Sequence, residues 1–148
     1  MNKPLNFPPI HANIKQINNK TYVFDIIRKK DLILTPEEWV RQHIIHFLIS
    51  HKNYSKGLIT TEKGLLYNNL TKRSDILTYS TEGKPFLLIE CKAPSVKITK
   101  KVFEQVSTYN QSIKSPYIAV SNGLDTYICS IDFDTGNYTF LNDFPIFI

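Results

Sequence analysis

Two neighbouring stretches, Ser74-Asp-Ile-Leu-Thr-Tyr79 and Pro85-Phe-Leu-Leu-Ile-Glu-Cys-Lys92, decide the fold of this chain. Both contain the β-branched and aromatic residues that favour strands. Between them lies Gly83, a residue that tight hairpin turns accept readily. The two stretches are therefore predicted to pair as an antiparallel hairpin whose turn is centred just before Gly83. In that register Asp75 lies opposite Glu90.

The charged residues of this hairpin are expected at one end of a single face. Side chains alternate along a strand, so Asp75, Glu90 and Lys92 fall on the same side of the sheet. Two opposed carboxylates in a largely buried hairpin repel each other unless a cation lies between them. Mg²⁺ prefers such hard oxygen ligands and keeps positions for water and a phosphate oxygen. The pattern thus predicts phosphodiester hydrolysis, with Asp75 and Glu90 as metal ligands and Lys92 positioning or helping to deprotonate the attacking water.

Two helices are predicted around the hairpin. Thr35-Pro-Glu-Glu38 is a capping box with proline at the first helical position, and an apolar period follows it to about residues 51–53. A second helical period runs from residue 98 to about residue 113. Further strand-like runs lie at residues 21–24, 32–34, 58–61, 117–120, 127–131 and 138–141. The prediction is a single domain of the α/β (α+β mixed) class with a mixed central β-sheet flanked by helices, preceded by an N-terminal arm with a short β-hairpin over residues 1–34.

A polar stripe formed by Lys101, Gln105 and Tyr109 lies beside the apolar face of the second predicted helix. Gln105 is a candidate to orient water, Lys92 or a DNA phosphate, and Lys101 and Tyr109 are candidates to contact the DNA backbone. A solvated helix face is the alternative interpretation of this stripe. The alternative for Glu90 and Lys92 is an ordinary surface ion pair near a strand end.

The overall composition is that of one soluble domain. The chain has 148 residues, 42% of them hydrophobic, and a formal charge of +5 that favours a polyanionic partner. Because no apolar run is long enough to span a bilayer and the start lacks a signal-peptide pattern, we expect a cytoplasmic protein without a membrane partner. Cys91 and Cys129 lack the spacing of a zinc site or a disulfide framework and are expected to be reduced thiols. The four histidines are assigned no role.

Three motifs together resemble the PD-(D/E)XK nuclease superfamily: Arg73-Ser-Asp75, Ile89-Glu-Cys-Lys-Ala-Pro94 and Gln105-Val-Ser-Thr-Tyr-Asn110. A narrower likeness is to the N-terminal nuclease domain of type I restriction enzyme R subunits, in the short stand-alone form in which Leu34-Thr-Pro-Glu-Glu-Trp-Val-Arg-Gln42 precedes the nuclease core. The resemblance covers about residues 24–141. Ser74 replaces the proline that gives the superfamily its name, at a position that varies among such proteins.

The resemblance implies a restriction-endonuclease-like core over residues 35–148 and DNA cleavage that depends on Mg²⁺, with Mn²⁺ as a substitute. It carries the acidic residue of the family onto Asp75, the E-x-K pair onto Glu90 and Lys92, and the Q-x-x-x-Y element onto Gln105 and Tyr109.

Three further residues are expected at the same site. The backbone carbonyl of Cys91 is expected to be a metal ligand, and Arg73 is expected to contact DNA. Similar nucleases often carry a glutamate on the first helix, which matches Glu38, with Glu37 as the weaker match. Helix capping is the competing role for Glu38.

The implied partner is DNA. Paired cuts in a two-stranded substrate would favour a homodimer or a larger restriction complex. The chain has no G-x-x-x-x-G-K-[ST] loop, so ATP binding and DNA translocation are not expected of it. The alternative function is a non-catalytic nucleic-acid-binding module or subunit with a nuclease-like fold.

Overall fold

The computed structural model describes residues 4–61, 65–67, 70–72 and 76–147. Within these ranges the chain forms two α-helices, α1 (Pro36–His51) and α2 (Lys100–Ile113). Its strands are β1 (Ile14–Ile17), β2 (Lys20–Asp25), β3 (Lys30–Ile33), β4 (Ile59–Thr60), β5 (Leu65–Tyr67), β6 (Leu70–Lys72), β7 (Ile76–Tyr79), β8 (Pro85–Cys91), β9 (Tyr117–Ser121), β10 (Thr126–Asp132) and β11 (Asn137–Leu141). Neither helix is both long and apolar enough to cross a bilayer.

The described strands form one large and two small sheets. The large sheet has the order β11-β10-β9-β8-β7-β4, with β8 and β9 parallel and the other neighbours antiparallel. A parallel pair requires a crossover connection, and α2 provides it between β8 and β9. Strands β1, β2 and β3 form a small antiparallel sheet before α1, and β5 pairs with β6. The predicted mixed sheet with flanking helices is confirmed.

The β7–β8 hairpin has the predicted register in the described residues. Ile76 pairs with Ile89, and Leu77 pairs with Leu88. A slip by one residue would have turned one strand's side chains to the opposite face, so this register determines which residues can form a site. Asp75 lies outside the described residues, and its predicted position therefore stays a prediction.

The turn of this hairpin differs from the predicted two-residue turn. The Ser80 N–H donates to the Lys84 carbonyl at 2.7 Å, and the Gly83 N–H donates to the Ser80 carbonyl at 2.9 Å. The ladder therefore closes one residue out of the expected register, and a β-bulge between Thr78 and Tyr79 absorbs the difference. Gly83 has a φ of +79°, which explains the glycine at this position.

The helix starts are set by their caps. The α1 start at Pro36 is as predicted, and the Thr35 hydroxyl accepts the Glu38 N–H at 3.0 Å. The prediction for α2 was two residues early, because Thr99 is its N-cap. Ile98 packs against the core from a position just before the helix, which is why its apolar side chain fitted the helical period.

Two apolar cores lie on opposite faces of the large sheet. The α1-side core includes Ile44, Leu48, Ile76, Leu87, Ile89 and Cys91. The α2-side core includes Leu77, Leu88, Val106, Tyr109, Val120 and Cys129. Successive residues of β8 alternate between the two cores, so this strand is buried on both faces. Cys91 and Cys129 are buried free thiols, as predicted, and burial raises the pKa of Cys129 to about 11.

The N-terminal segment packs against the domain. The Asn6 N–H donates to the Gly123 carbonyl at 2.8 Å, and its amide nitrogen Nδ2 donates to the Leu124 carbonyl at 2.7 Å. The Phe7 ring packs against Phe47 of α1 and also against Phe144 near the other end of the chain, with ring centroids 5.4 and 6.4 Å apart.

Two strand pairings were not predicted. The arm contains β1, whose exposed residues carry no alternating apolar pattern. The β5–β6 ladder has no counterpart among the strand-like runs identified from the sequence.

Substitutions at two glycines with positive φ test how closely the N-terminal arm packs against the domain. A Cβ added at Gly123 would lie 2.8 Å from Leu5 Cδ2 and 3.1 Å from Val40 Cγ2, whereas a Cβ at Gly136 would meet nothing within 4 Å. We expect Gly136→Ala to lower the free energy of unfolding by about 1 kcal/mol through backbone strain. Gly123→Ala should lower it by a further amount of about 1–3 kcal/mol through overpacking. Urea denaturation measures both, and equal losses would contradict the close packing.

The pKa shifts of two histidines of α1 predict that the free energy of unfolding depends on pH. Burial lowers the pKa of His43, although its Nδ1 lies 2.9 Å from the Trp39 carbonyl oxygen, and burial also lowers the pKa of His46. Below the ordinary imidazole pKa of 6.5, the unfolded chain then binds more protons than the folded protein. The free energy of unfolding should therefore fall as the pH drops from 7 towards 5, and His43→Gln should reduce that slope. Denaturation curves across this interval check it, and an unchanged slope in the variant would rule out His43 as a source.

Candidate active site

Glu90 and Lys92 lie at the end of β8 where the buried run stops. Lys92 Nζ is 3.4 Å from Glu90 Oε2, so the two side chains share one face as predicted. Glu90 follows Leu88 on the α2 side and is only 8% exposed. Because exposed ion pairs contribute little and a buried carboxylate is costly without a partner, this burial disfavours the interpretation as an ordinary surface pair.

The backbone at this end of β8 is held by the neighbouring parallel strand. Glu90 pairs with Val120, Cys91 pairs with Ser121, and the Lys92 N–H donates to the Ser121 carbonyl at 2.8 Å. The Cys91 side chain belongs to the α1-side core. A metal-ligand role for Cys91 therefore falls to its backbone carbonyl, which is the role predicted for it.

A second buried acidic residue lies in the first turn of α1. Glu38 is 6% exposed, its Oε1 lies 3.6 Å from Arg41 Nη2, and its Oε2 accepts a hydrogen bond from Gln42 Nε2 at 2.9 Å. The Glu38 backbone N–H is capped by Thr35. The capping position and a buried charged side chain thus coexist in one residue.

The first turn of α1 and Ala93, two residues after the end of β8, border the same open cavity of about 540 Å³. Its lining includes Glu37, Glu38 and Arg41 of α1, Ile33 of β3, and Ala93. Ala93 directly follows Lys92, so the candidate acidic residue of α1 reaches the same space as the chain next to the Glu90–Lys92 pair.

The polar stripe of α2 is divided between solvent and core. Lys101 and Gln105 are exposed, as both predicted roles require. Tyr109 is 3% exposed and packs in the α2-side core. A DNA contact by Tyr109 stays a prediction that this burial does not favour. Arg73 and Asp75 lie outside the described residues.

The donor chemistry fits a hard divalent cation. A buried carboxylate fixed on a strand and an adjacent backbone carbonyl are oxygen ligands of the kind that Mg²⁺ prefers. Among the described residues, no group of three or more His, Cys, Asp or Glu side chains could hold a metal ion. The predicted donor set does not require one, since it consists of Glu90, the Cys91 carbonyl and Asp75.

Two polar residues of this region were not assigned from the sequence. Arg41 and Gln42 surround the Glu38 carboxylate, and both are buried. Their positions three and four residues after Glu38 are the spacing at which helical side chains meet, which is the signal that identifies them.

Comparisons with known proteins agree with this fold. Residues 36–145 match the family model described as the type I restriction enzyme R protein N terminus. A solved fragment described as an HsdR subunit of a type I restriction enzyme from Vibrio vulnificus YJ016 is similar, with a TM-score of 0.54 and 19% sequence identity. That match covers 76% of this chain and 24% of the fragment, so this chain spans about a quarter of the fragment's length. No curated protein matches the chain.

At this identity the structural likeness establishes a shared fold, whereas the family model covers most of the chain. The chain belongs to the family of type I restriction enzyme R protein N-terminal domains.

Proposed function

We propose that this domain cleaves DNA by metal-dependent hydrolysis of a phosphodiester bond. The observation that carries the proposal is the buried Glu90 carboxylate with Lys92 Nζ 3.4 Å away at the end of a strand covered on both faces. Membership of the R-protein N-terminal family supports a nuclease-like module. The +5 formal charge suits a polyanionic substrate.

Each residue then has a chemical role. Asp75, Glu90 and the Cys91 carbonyl would hold the ion. A bound Mg²⁺, or Mn²⁺ in its place, supplies a Lewis acid that polarises the scissile phosphate and lowers the pKa of a bound water. Lys92 positions the attacking water, and Gln105 orients that water or a phosphate oxygen.

The geometry of the Glu90–Lys92 pair suits this role. Its separation of 3.4 Å is longer than the roughly 2.7–2.9 Å of a tight charge-assisted hydrogen bond. An ammonium group has three N–H donors, so Lys92 keeps donors for a water and a phosphate oxygen. The hydrogen bond from its backbone N–H to Ser121 keeps the base of the side chain in place.

The proposed partners follow from the same reaction. DNA is the substrate, and we expect the domain to act as a homodimer or within a larger restriction complex when both strands are cut. Translocation, which requires ATP, would be performed by another component of such a complex.

Cleavage assays test the proposal. Supercoiled and single-stranded DNA are incubated with Mg²⁺, Mn²⁺ or EDTA. We expect cutting only with a metal ion, and a loss of at least about a hundredfold in Asp75→Asn, Glu90→Gln and Lys92→Met. The loss follows from removal of a metal ligand or of the amine that positions the water.

The matched control is the Lys100–Glu104 pair of α2, whose exposed charges lie 3.9 Å apart. Lys100→Met and Glu104→Gln should cut like the natural protein. DNA binding without cutting would favour the non-catalytic binding module instead. Cutting that persists in EDTA would overturn the metal-dependent mechanism.

The role of Glu38 is tested by Glu38→Gln, and Glu37→Gln tests the weaker match, which lines the same cavity. The amide leaves Arg41 with a buried charge that has lost an anionic partner, so the free energy of unfolding should fall by about 3 kcal/mol. If Glu38 also acts in the site, cleavage should fall at least about tenfold at a temperature where the variant stays folded. A stability loss with undiminished cleavage would restrict Glu38 to a structural role.

A further inference from the structure

A second open cavity, of about 480 Å³, lies between the β2–β3 loop and β4. The described residues that line it are Ile27, Arg28, Lys30, Ile59, Thr60 and Thr61. They supply two cationic side chains and two hydroxyl groups beside two isoleucines, and none of them is acidic. This combination suits an anion with several oxygen acceptors.

The β2–β3 loop, which carries Arg28 and leads into Lys30, has a defined shape. Asp25 Oδ1 accepts the backbone N–H groups of Ile27 and Arg28, at 2.7 and 3.3 Å. The Lys29 N–H donates to the Asp25 carbonyl at 2.8 Å, and Lys29 has a φ of +56°. A ligand that binds this loop therefore meets a turn that is already formed, which reduces the ordering cost of binding.

The hydroxyl of Thr61 provides an independent indication of a ligand. Thr61 is 3% exposed, and its Oγ1 has no hydrogen-bond partner in the part of the chain that the structure describes. A buried hydroxyl without a partner is destabilising, and an oxygen acceptor in the cavity would satisfy it. The neighbouring Thr60 hydroxyl already donates to the Leu77 carbonyl at 2.9 Å.

The position of the cavity relates it to the candidate active site. Thr60 pairs with Leu77, and Leu77 pairs with Leu88, two residues before Glu90. Two strand spacings across and two residues along the sheet separate the backbones of Thr60 and Glu90 by about 12 Å. A nucleic-acid strand advances about 3.4 Å along the helix axis per nucleotide, so three or four nucleotides span this distance.

Strand β3 connects the two regions directly. Lys30, at its start, lines this cavity, whereas Leu32 and Ile33, at its end, line the cavity that contains Glu38. Asp31 lies between them, but it forms an ion pair with Lys15 at 3.5 Å, which offsets its charge.

We propose that this cavity binds a backbone phosphate of the DNA strand a few nucleotides from the scissile bond. Arg28 and Lys30 contact the phosphate oxygens, and the Thr61 hydroxyl donates a hydrogen bond to one of them. The inference rests on the proposed function, because it names a second contact for the same substrate. The contact reads no base and contributes affinity and register.

The first test removes the Thr61 hydroxyl by Thr61→Val. Binding of a fluorescein-labelled duplex is measured by anisotropy in EDTA, so that no cutting occurs. We expect about tenfold weaker binding, because a hydrogen bond to a charged oxygen is lost. The melting temperature should stay the same or rise, because a buried hydroxyl without a partner is removed in the free protein.

Thr78→Val is the matched control. Thr78 is fully buried, its Oγ1 also lacks a partner among the described residues, and it pairs with Ile59, yet it does not line the cavity. This variant should show the same stability response and an unchanged affinity for DNA. Equal affinity in Thr61→Val and the natural protein would overturn the proposal.

The second test removes the two cations by Arg28→Gln with Lys30→Gln, compared with Lys84→Gln in the β7–β8 turn. We expect the double variant to reduce the slope of log affinity against log salt by about two, and the control to leave it unchanged. An unchanged slope in the double variant would overturn the proposed phosphate contacts.

Three further outcomes are distinguishable. If the natural protein neither binds nor cuts DNA, the proposed function fails and the phosphate contact fails with it. If it cuts DNA while all cavity variants bind like the natural protein, only the phosphate contact fails. Stabilisation of the natural protein, but not of Thr61→Val, by inorganic phosphate in the absence of any DNA binding would identify a free anion as the ligand and overturn the nucleic-acid source.

Discussion

Strand β8 is covered on both faces, and the rest of the structure is arranged around that constraint. Its residues alternate between the α1-side and α2-side cores. A polar side chain is therefore tolerated only at the end of the strand, where the packing by the two cores ends. Glu90 occupies that position, with Lys92 as its partner. The ladders to β7 and β9 fix the backbone of β8, so the carboxylate is held on a strand that is paired on both sides.

Charge pairing extends from the sheet to the helix. Glu38 is buried beside Arg41 much as Glu90 is buried beside Lys92. Carboxylates repel a polyanion, and each of these carboxylates lies within 4 Å of a cation. A nucleic-acid strand that approaches the cavity at the start of α1 therefore meets paired charges.

The register of the central hairpin was predicted from a two-residue turn centred before Gly83, and it holds at Ile76–Ile89 and Leu77–Leu88 because the β-bulge between Thr78 and Tyr79 offsets the different turn. The start of α1 was also predictable, because Thr35 and Pro36 define it locally. The five-residue connection between β7 and β8, with its bulge, could not be predicted, because Gly83 is compatible with several kinds of turn. Strand β1 was missed because exposed residues carry no period.

For the candidate site, the E-x-K spacing on an apolar strand identified the Glu90–Lys92 pair. The burial of Tyr109 could not be separated from a surface role, because its position lies at the border between the polar and apolar stripes of α2. Arg41 and Gln42 were readable from their spacing after Glu38, yet a charged residue on a helix is more often solvated than buried. Only the packing around α1 distinguishes the two cases.

The contact of Phe7 with Phe144 brings the two terminal segments together beside Phe47 of α1. In mechanical terms, a pull applied across the two ends loads the contacts of the terminal segments, which include the Asn6–Gly123 hydrogen bond as well as this aromatic cluster. On the C-terminal side the pull also reaches strand β8, because the Phe147 and Phe86 ring centroids lie 5.7 Å apart. Phe86 lies near the start of β8 and Glu90 near its end, so the mechanical load enters this strand away from the candidate site.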